Sequence, residues 1–238
     1  MYVVAVSDVH SPRYFDLFER ALSKVKWSEV SLMILAGDMI LKGRIKEYDR
    51  VIKAIRRYYD GKIIGVFGNE EYEKLEPTLI EEYGGEILWL NDEDTYVKLD
   101  TGKVAIYGTR GILDIPTPWQ RKHVPDITHK YLSRLDNLAK WLKKDSGGSL
   151  SLMVSHYAVT YKTMVGERER IWPMLGSKRV ERLIAHSSLD VAIHGHVHKS
   201  KVLEASLGNT KVYNVALIAR GELTKITLST RKGLLEYL

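Results

Sequence analysis

Three short runs rich in Val and Ile recur at residues 2–6, 32–36 and 62–67, and each is followed by a stretch with helical spacing. Residues 14–25 place Phe15, Phe18, Leu22 and Val25 on one helical face, and residues 45–58 do the same with Ile45, Val51, Ile52 and Ile55. Strands that alternate with helices in this way pair in parallel through right-handed crossovers. The first third therefore reads βαβαβ, which commits the chain to an α/β architecture whose sheet must be covered by helices.

A third helix is expected over 72–83, and after it the pattern changes. Short strands are expected near 86–89, 95–99 and 104–107, separated by Asn-Asp and Thr-Gly turn signals. Residues 109–126 carry three prolines and read as a surface loop. A long helix over 127–144 puts Leu132, Leu135, Leu138, Ala139 and Leu142 on its inner face. A short turn over 145–149, a strand at 150–154, an irregular stretch to Gly176, a helix opened by Ser177 and a strand at 191–193 follow. Alternating segments at 201–205, 211–215 and 223–228 read as antiparallel strands. With no repeat or long linker, a single domain over 1–238 is expected, built as two packed sheets with helices outside.

Composition narrows the chemistry. The chain has no cysteine, which removes disulfides, thiol nucleophiles and thiolate metal sites, so any metal is held by His, Asp, Glu or Asn. No segment offers about 18 uninterrupted apolar residues, and the first apolar run breaks at Ser7 and Asp8, so a soluble, cytoplasmic protein is expected. The net charge of +6 mildly favours anionic partners, nucleic acid or nucleotides among them. Nothing in the pattern sets an oligomeric state.

Wherever a strand is expected to end, a metal-ligand type follows it. Asp8 and His10 follow the first strand, Asp38 the second, Asn69 the third, His156 the strand at 150–154, and His196 and His198 the strand at 191–193. In α/β sheets ligands gather outside the carboxyl ends of strands, so these seven side chains should converge. The two-residue spacing of Asp8/His10 and of His196/His198 lets each pair point the same way if the backbone is extended, so that each pair grips one site. Gly37, Gly68 and Gly195 stand directly before candidate ligands, where a side chain would hinder a sharp turn or a close approach.

The order Asp8-x-His10, Gly37-Asp38, Gly68-Asn69, His156 and Gly195-His196-x-His198 resembles that of the calcineurin-like metallophosphoesterases over about residues 1–200. The resemblance implies a four-layer α/β/β/α sandwich of two mixed sheets and hydrolysis of phosphate esters by two divalent metals and a bridging hydroxide. It implies that Asp8, His10 and His198 hold one metal, that Asn69, His156 and His196 hold the other, and that Asp38 bridges them. Mixed oxygen and imidazole donors suit manganese first, with iron, zinc, cobalt, nickel or magnesium as the other candidates. Catalysis would then rest on Asp38, Asn69, Glu70 and His156, and substrate contact on Lys42, Arg44, Tyr157 and Tyr161.

The sequence departs from that family at one position. The family usually places histidine after the Gly-Asn pair, as substrate contact and leaving-group acid; this chain has Glu70, followed by Glu71. A carboxylate beside two dications favours its ionised form and makes a poor proton donor. Tyr157, Tyr161, Lys42, Arg44 and His123 are the reserve donors, and residues 157–176, with Tyr161, Met164, Trp172, Arg168 and Arg170, are expected to wall a cleft able to stack a base. The competing expectation is a weak or inactive scaffold of the same fold that serves as an interaction module.

Overall fold

The computed structural model describes residues 2–99, 102–144 and 149–228. Within them β1 (Tyr2–Val6), β2 (Val30–Ala36), β3 (Ile63–Val66) and β4 (Leu88–Trp89) pair in parallel. The expected crossover helices are α1 (Phe15–Leu22) and α2 (Glu47–Arg56), and α3 (Glu76–Tyr83) precedes β4. The second sheet holds β5 (Glu93–Leu99), β6 (Gly102–Thr109), β7 (Leu150–Ser155), β8 (Val191–His194), β9 (Glu204–Leu207) and β10 (Thr210–Asn214), in the order β5-β6-β7-β8-β10-β9. Its four inner strands run parallel and its two edges antiparallel. The last strand, β11 (Thr224–Thr227), returns to the first sheet and pairs antiparallel with β1.

The period-2 alternation of the strands sorts side chains between two layers. Val3, Ala5, Leu32, Ile34 and Val66 face Val104, Ile106, Leu152, Val154 and Ile193 across the space between the sheets. The other face of the first sheet, with Val4, Val6, Met33 and Leu35, packs on Phe18 and Leu22 of α1 and on Val51 and Ile55 of α2. The outer face of the second sheet, with Ala105, Tyr107, Met153 and Ala192, packs on Tyr131, Leu138 and Trp141 of α5 (Ile127–Leu142) and on Val180 and Ile184 of α6 (Lys178–Ala185). The result is the expected α/β/β/α sandwich of two mixed sheets.

Four local expectations shift. Residues 109–126 are not wholly loop: Thr117 and Gln120 form a capping box that opens a short helix, α4 (Pro118–His123), with proline in its first turn. The strand expected at 201–205 starts only at Glu204, because the Lys201 N–H is spent on the Val165 carbonyl. The strand expected at 86–89 is reduced to Leu88–Trp89. The irregular stretch before Gly176 contains two short 3-10 turns. The Thr-Gly turn signal, at Thr101, and the turn over 145–149, at residues 145–148, fall outside the described residues.

Candidate metal centre

All seven candidate ligands meet at the carboxyl ends of β1, β2, β3, β7 and β8. Asp8 and His156 are fully buried, Asp38 and His10 nearly so. Their donor atoms fall into two groups, Asp8 with His10 and His198, and Asp38 with His156 and His196, the atoms of each group lying within 4.8 Å of one another. Asp38 Oδ2 stands 3.4 Å from His156 Nε2 and 3.9 Å from His10 Nε2, so one carboxylate faces both groups. Asn69 Oδ1 lies 3.2 Å from His156 Nε2, on the Asp38 side. His196 and His198 therefore do not grip one site as a pair; each joins a different group.

The expectation of extended backbone at these pairs is also replaced. Asp8, His10, Asp38 and His196 all have positive φ, between 44° and 68°. Their side chains converge because the chain turns sharply at each strand end, and backbone of this kind persists only where its surroundings over-determine it. The surroundings do so here: the Asp8 and His10 N–H groups donate to the Gly37 and Asp38 carbonyls, and the Gly195 N–H donates to the His156 carbonyl. At Gly68 a Cβ would stand 2.1 Å from Asp38 Oδ1, so the approach of the third strand end to Asp38 tolerates no side chain. Gly37, with φ +85°, would drive a Cβ to 2.7 Å from His156 Nδ1.

Hydrogen bonding sets the imidazoles for coordination. His156 Nδ1 lies 3.0 Å from the Ala36 carbonyl, which only accepts, so Nδ1 carries a proton and Nε2 is the nitrogen that faces Asp38 and Asn69 and would be the one free to take a metal. His198 Nε2 is 2.8 Å from Asp8 Oδ1. His10 Nδ1 is buried without a hydrogen-bond partner. Burial opposes charge on Asp8, yet the His198 hydrogen bond and the surrounding imidazoles hold its carboxyl well below the usual range. Burial lowers His196 to about 3, whereas His156, also buried, is carried up to about 9 by the Asp38 and Asp8 charges. Two carboxylates, four imidazoles and an amide oxygen drawn together in two groups fit a pair of divalent ions.

Glu71, to which no role was assigned from sequence, is the site's main internal brace. Fully buried, it accepts from the N–H groups of Asp38 (2.7 Å), Met39 (2.8 Å), Ile40 (3.3 Å) and Gly68 (2.8 Å) and from the Tyr48 hydroxyl (3.0 Å). Burial pushes its carboxyl up to about 7, reinforced by the Asp38 charge and opposed by those N–H donors. The sequence signal was its adjacency to Glu70: two acids in succession after Gly-Asn, one turned inward. Glu70 turns the other way. Its Oε2 accepts from the Lys42 N–H at 2.5 Å while its own N–H donates to Asp38 Oδ1 at 2.7 Å, so its carboxylate caps the loop after β2.

The expected substrate contacts separate. Lys42 and Arg44 are exposed on that loop. Tyr157 is buried beside the site, its ring 4.9 Å from that of His196 and its hydroxyl accepting from Gln120 Nε2 at 2.9 Å. Tyr161 donates its hydroxyl to Asp114 at 2.9 Å and packs edge-on against Trp172. The expected cleft wall over 157–176 is thus corrected: Tyr161, Met164 and Trp172 close on Ala158, Val197 and Leu175 as a small apolar cluster, and of that stretch only Tyr157 lines the cavity beside the metal centre. That cavity, about 760 Å³, is walled instead by Tyr72 and by residues 117–127, whose capping box and short helix carry Trp119 and His123 into it.

A two-sheet sandwich with two groups of candidate metal donors at its strand ends defines the class of fold. The chain belongs to the calcineurin-like phosphoesterase family, whose model matches residues 1–200. Among solved structures it is similar to a phosphopantetheinyl hydrolase from Mycobacterium tuberculosis, with a TM-score of 0.74, 13% identity and 96% of each chain covered. It is similar also to a dimetal phosphatase from Danio rerio, with a TM-score of 0.61, 13% identity and coverage of 96% of this chain and 99% of that one. At such identities the likeness shows the fold alone. No curated protein matches the sequence significantly.

Proposed function

We propose that this chain is a metal-dependent phosphoesterase that acts as one domain on phosphodiesters or nucleotide-type esters. The observation that carries the reading is the position of Asp38 Oδ2, within 3.4 Å of His156 Nε2 and 3.9 Å of His10 Nε2, where one carboxylate serves two donor groups. Asp8, His10 and His198 would hold one divalent ion, and Asn69, His156 and His196 the other, with Asp38 between them. The chemistry such ions would supply there is a water nucleophile of lowered pKa and neutralised charge on the phosphoryl oxygens. The chain's own contribution is placement: the bent strand ends fix the carboxylates, the Ala36 carbonyl fixes the His156 tautomer, and Glu71 holds the turns that present Asp38 and Asn69.

Hydrolysis transfers the phosphoryl group to water, forming one P–O bond and breaking the ester P–O bond, and the departing oxygen takes up a proton. Glu70 is spent on the Lys42 N–H and supplies no proton at the position where the family usually has histidine. Esters whose alcohol leaves easily without a proton, aryl esters above all, should therefore turn over at least about a hundredfold faster than alkyl esters. Manganese is the first ion to supply, since mixed oxygen and imidazole donors favour it together with iron, zinc and cobalt. The test is release of p-nitrophenolate from the diester bis-p-nitrophenyl phosphate and from p-nitrophenyl phosphate with Mn²⁺, repeated for Asp38→Asn and His196→Ala. Metal-dependent turnover lost in both variants supports the reading; absence of turnover with every divalent ion overturns it in favour of a scaffold.

A further inference from the structure

The cavity of about 760 Å³ shares Asn69 and His196 with the metal centre, so whatever sits in it lies next to the place where phosphorus would react. Its size falls within the roughly 300–1,000 Å³ of pockets that hold small organic ligands. Its outer wall is aromatic. The Tyr72 ring stacks on Trp119 with centroids 6.1 Å apart and planes 24° apart, and Trp119 stacks on His123 at 4.9 Å and 28°. Trp119 is 53% exposed, and contiguous uncovered apolar surface of this kind marks ligand-binding grooves. Leu113, Val124, Pro125 and Ile127 continue the apolar lining.

The buried charges at this cavity are already matched, and Lys74 is exposed at its rim. Arg110 is ion-paired with Glu76 and donates to the Glu71 carbonyl at 2.9 Å; Arg134 Nε donates to Asp92 at 2.9 Å; Glu73 pairs with Lys130. Committed cations of this kind do not ask for a second phosphate, whereas the aromatic wall asks for a flat, weakly polar surface.

We propose that this cavity seats the organic arm of a phosphodiester, a planar and uncharged group of nucleoside size held against the Tyr72–Trp119–His123 wall. The assignment rests on the phosphoesterase reading and names the class of its substrate. It makes Trp119 and Tyr72 specificity-determining residues, with no part in bond breaking.

Two substrates with one leaving group test it. Thymidine 5′-p-nitrophenyl phosphate and methyl p-nitrophenyl phosphate both release p-nitrophenolate and differ only in the retained arm. With Mn²⁺ the thymidine ester should be preferred by about tenfold or more in kcat/KM, the scale of one stacked base. Trp119→Ala and Tyr72→Leu should each shrink that ratio to within about threefold, whereas Trp119→Phe, and Tyr96→Ala on the remote strand β5, keep it. A metal-independent readout runs in parallel: thymidine should quench part of the tryptophan fluorescence of the wild type and none of that part in Trp119→Phe. Turnover of both esters at equal kcat/KM, with no quench, overturns the pocket and leaves the phosphoesterase reading standing. If neither ester turns over, that reading falls, and the presence or absence of the quench still decides whether the cavity binds a nucleoside.

Discussion

The floor of the site and its wall are built on opposite plans. On the floor, seven donors sit at strand ends, with Asp8, His10, Asp38 and His156 buried and Asp8, His10, Asp38 and His196 on backbone forced to positive φ and stitched by N–H groups to neighbouring turns. On the wall, Tyr72 and the residues of α4 lie on a loop and a six-residue helix, with Trp119 more than half exposed. The contrast separates two tasks. Chemistry at phosphorus demands donors fixed to fractions of an ångström, which only a rigid scaffold provides, while selection among organic arms needs surface that can change without disturbing that scaffold.

The sharpest way to break the comparison is on the floor. Asp38→Asn should lower metal-dependent turnover by at least about a hundredfold for every ester, because its carboxylate serves both donor groups. Steady-state rates at saturating Mn²⁺ check this. Glu71→Ala strips an acceptor from four backbone N–H groups and one hydroxyl, and should cost about 4 kcal/mol, lowering Tm by about 10 °C in the metal-free protein. Calorimetry that finds no shift would remove Glu71 as the brace.

Next in size is a pH effect just behind the floor. His194 is fully buried between the Gly195 carbonyl and the Thr163 hydroxyl, and burial lowers it to about 4 from 6.5. As pH falls from 6.5 to 4, the unfolded chain takes up a proton that the folded protein refuses, so stability falls over that window by about 3 kcal/mol. Urea melts at both pH values should show a shallower acid loss in His194→Gln. Saturating Mn²⁺, at about a hundred times its dissociation constant, should raise Tm by about 5–10 °C, and Asp38→Asn should abolish most of that gain. Smallest of all, Trp119→Ala should change folding stability by no more than about 0.5 kcal/mol, measured by the same melts, which is what divides wall from floor.

Much of the floor was legible because it obeys topology. The spacing of Asp8, Asp38 and Asn69 follows the βαβ repeat, so reading strand ends was enough to gather the donors, and the glycines marked where backbones nearly touch. The division of donors between two groups was not legible from spacing, since His196-x-His198 looks like a single clamp until the left-handed turn at His196 rotates the two rings apart. Glu71 and Glu70 look alike in sequence; only the burial of one and the outward turn of the other separates brace from cap. The wall was misplaced because aromatic residues over 157–172 draw the eye, while Thr-Pro-Trp-Gln at 117–120, a complete helix-start signal, was hidden inside a proline-rich run.

The seven donors come from both sheets: Asp8, His10, Asp38 and Asn69 from the ends of one, His156, His196 and His198 from the ends of the other. Neither half of the chain owns a complete coordination sphere. Capacity to capture cations would thus report on whether the sandwich has closed, and an ion held there would act as a rivet across the seam, resisting any motion that would slide one layer over its neighbour.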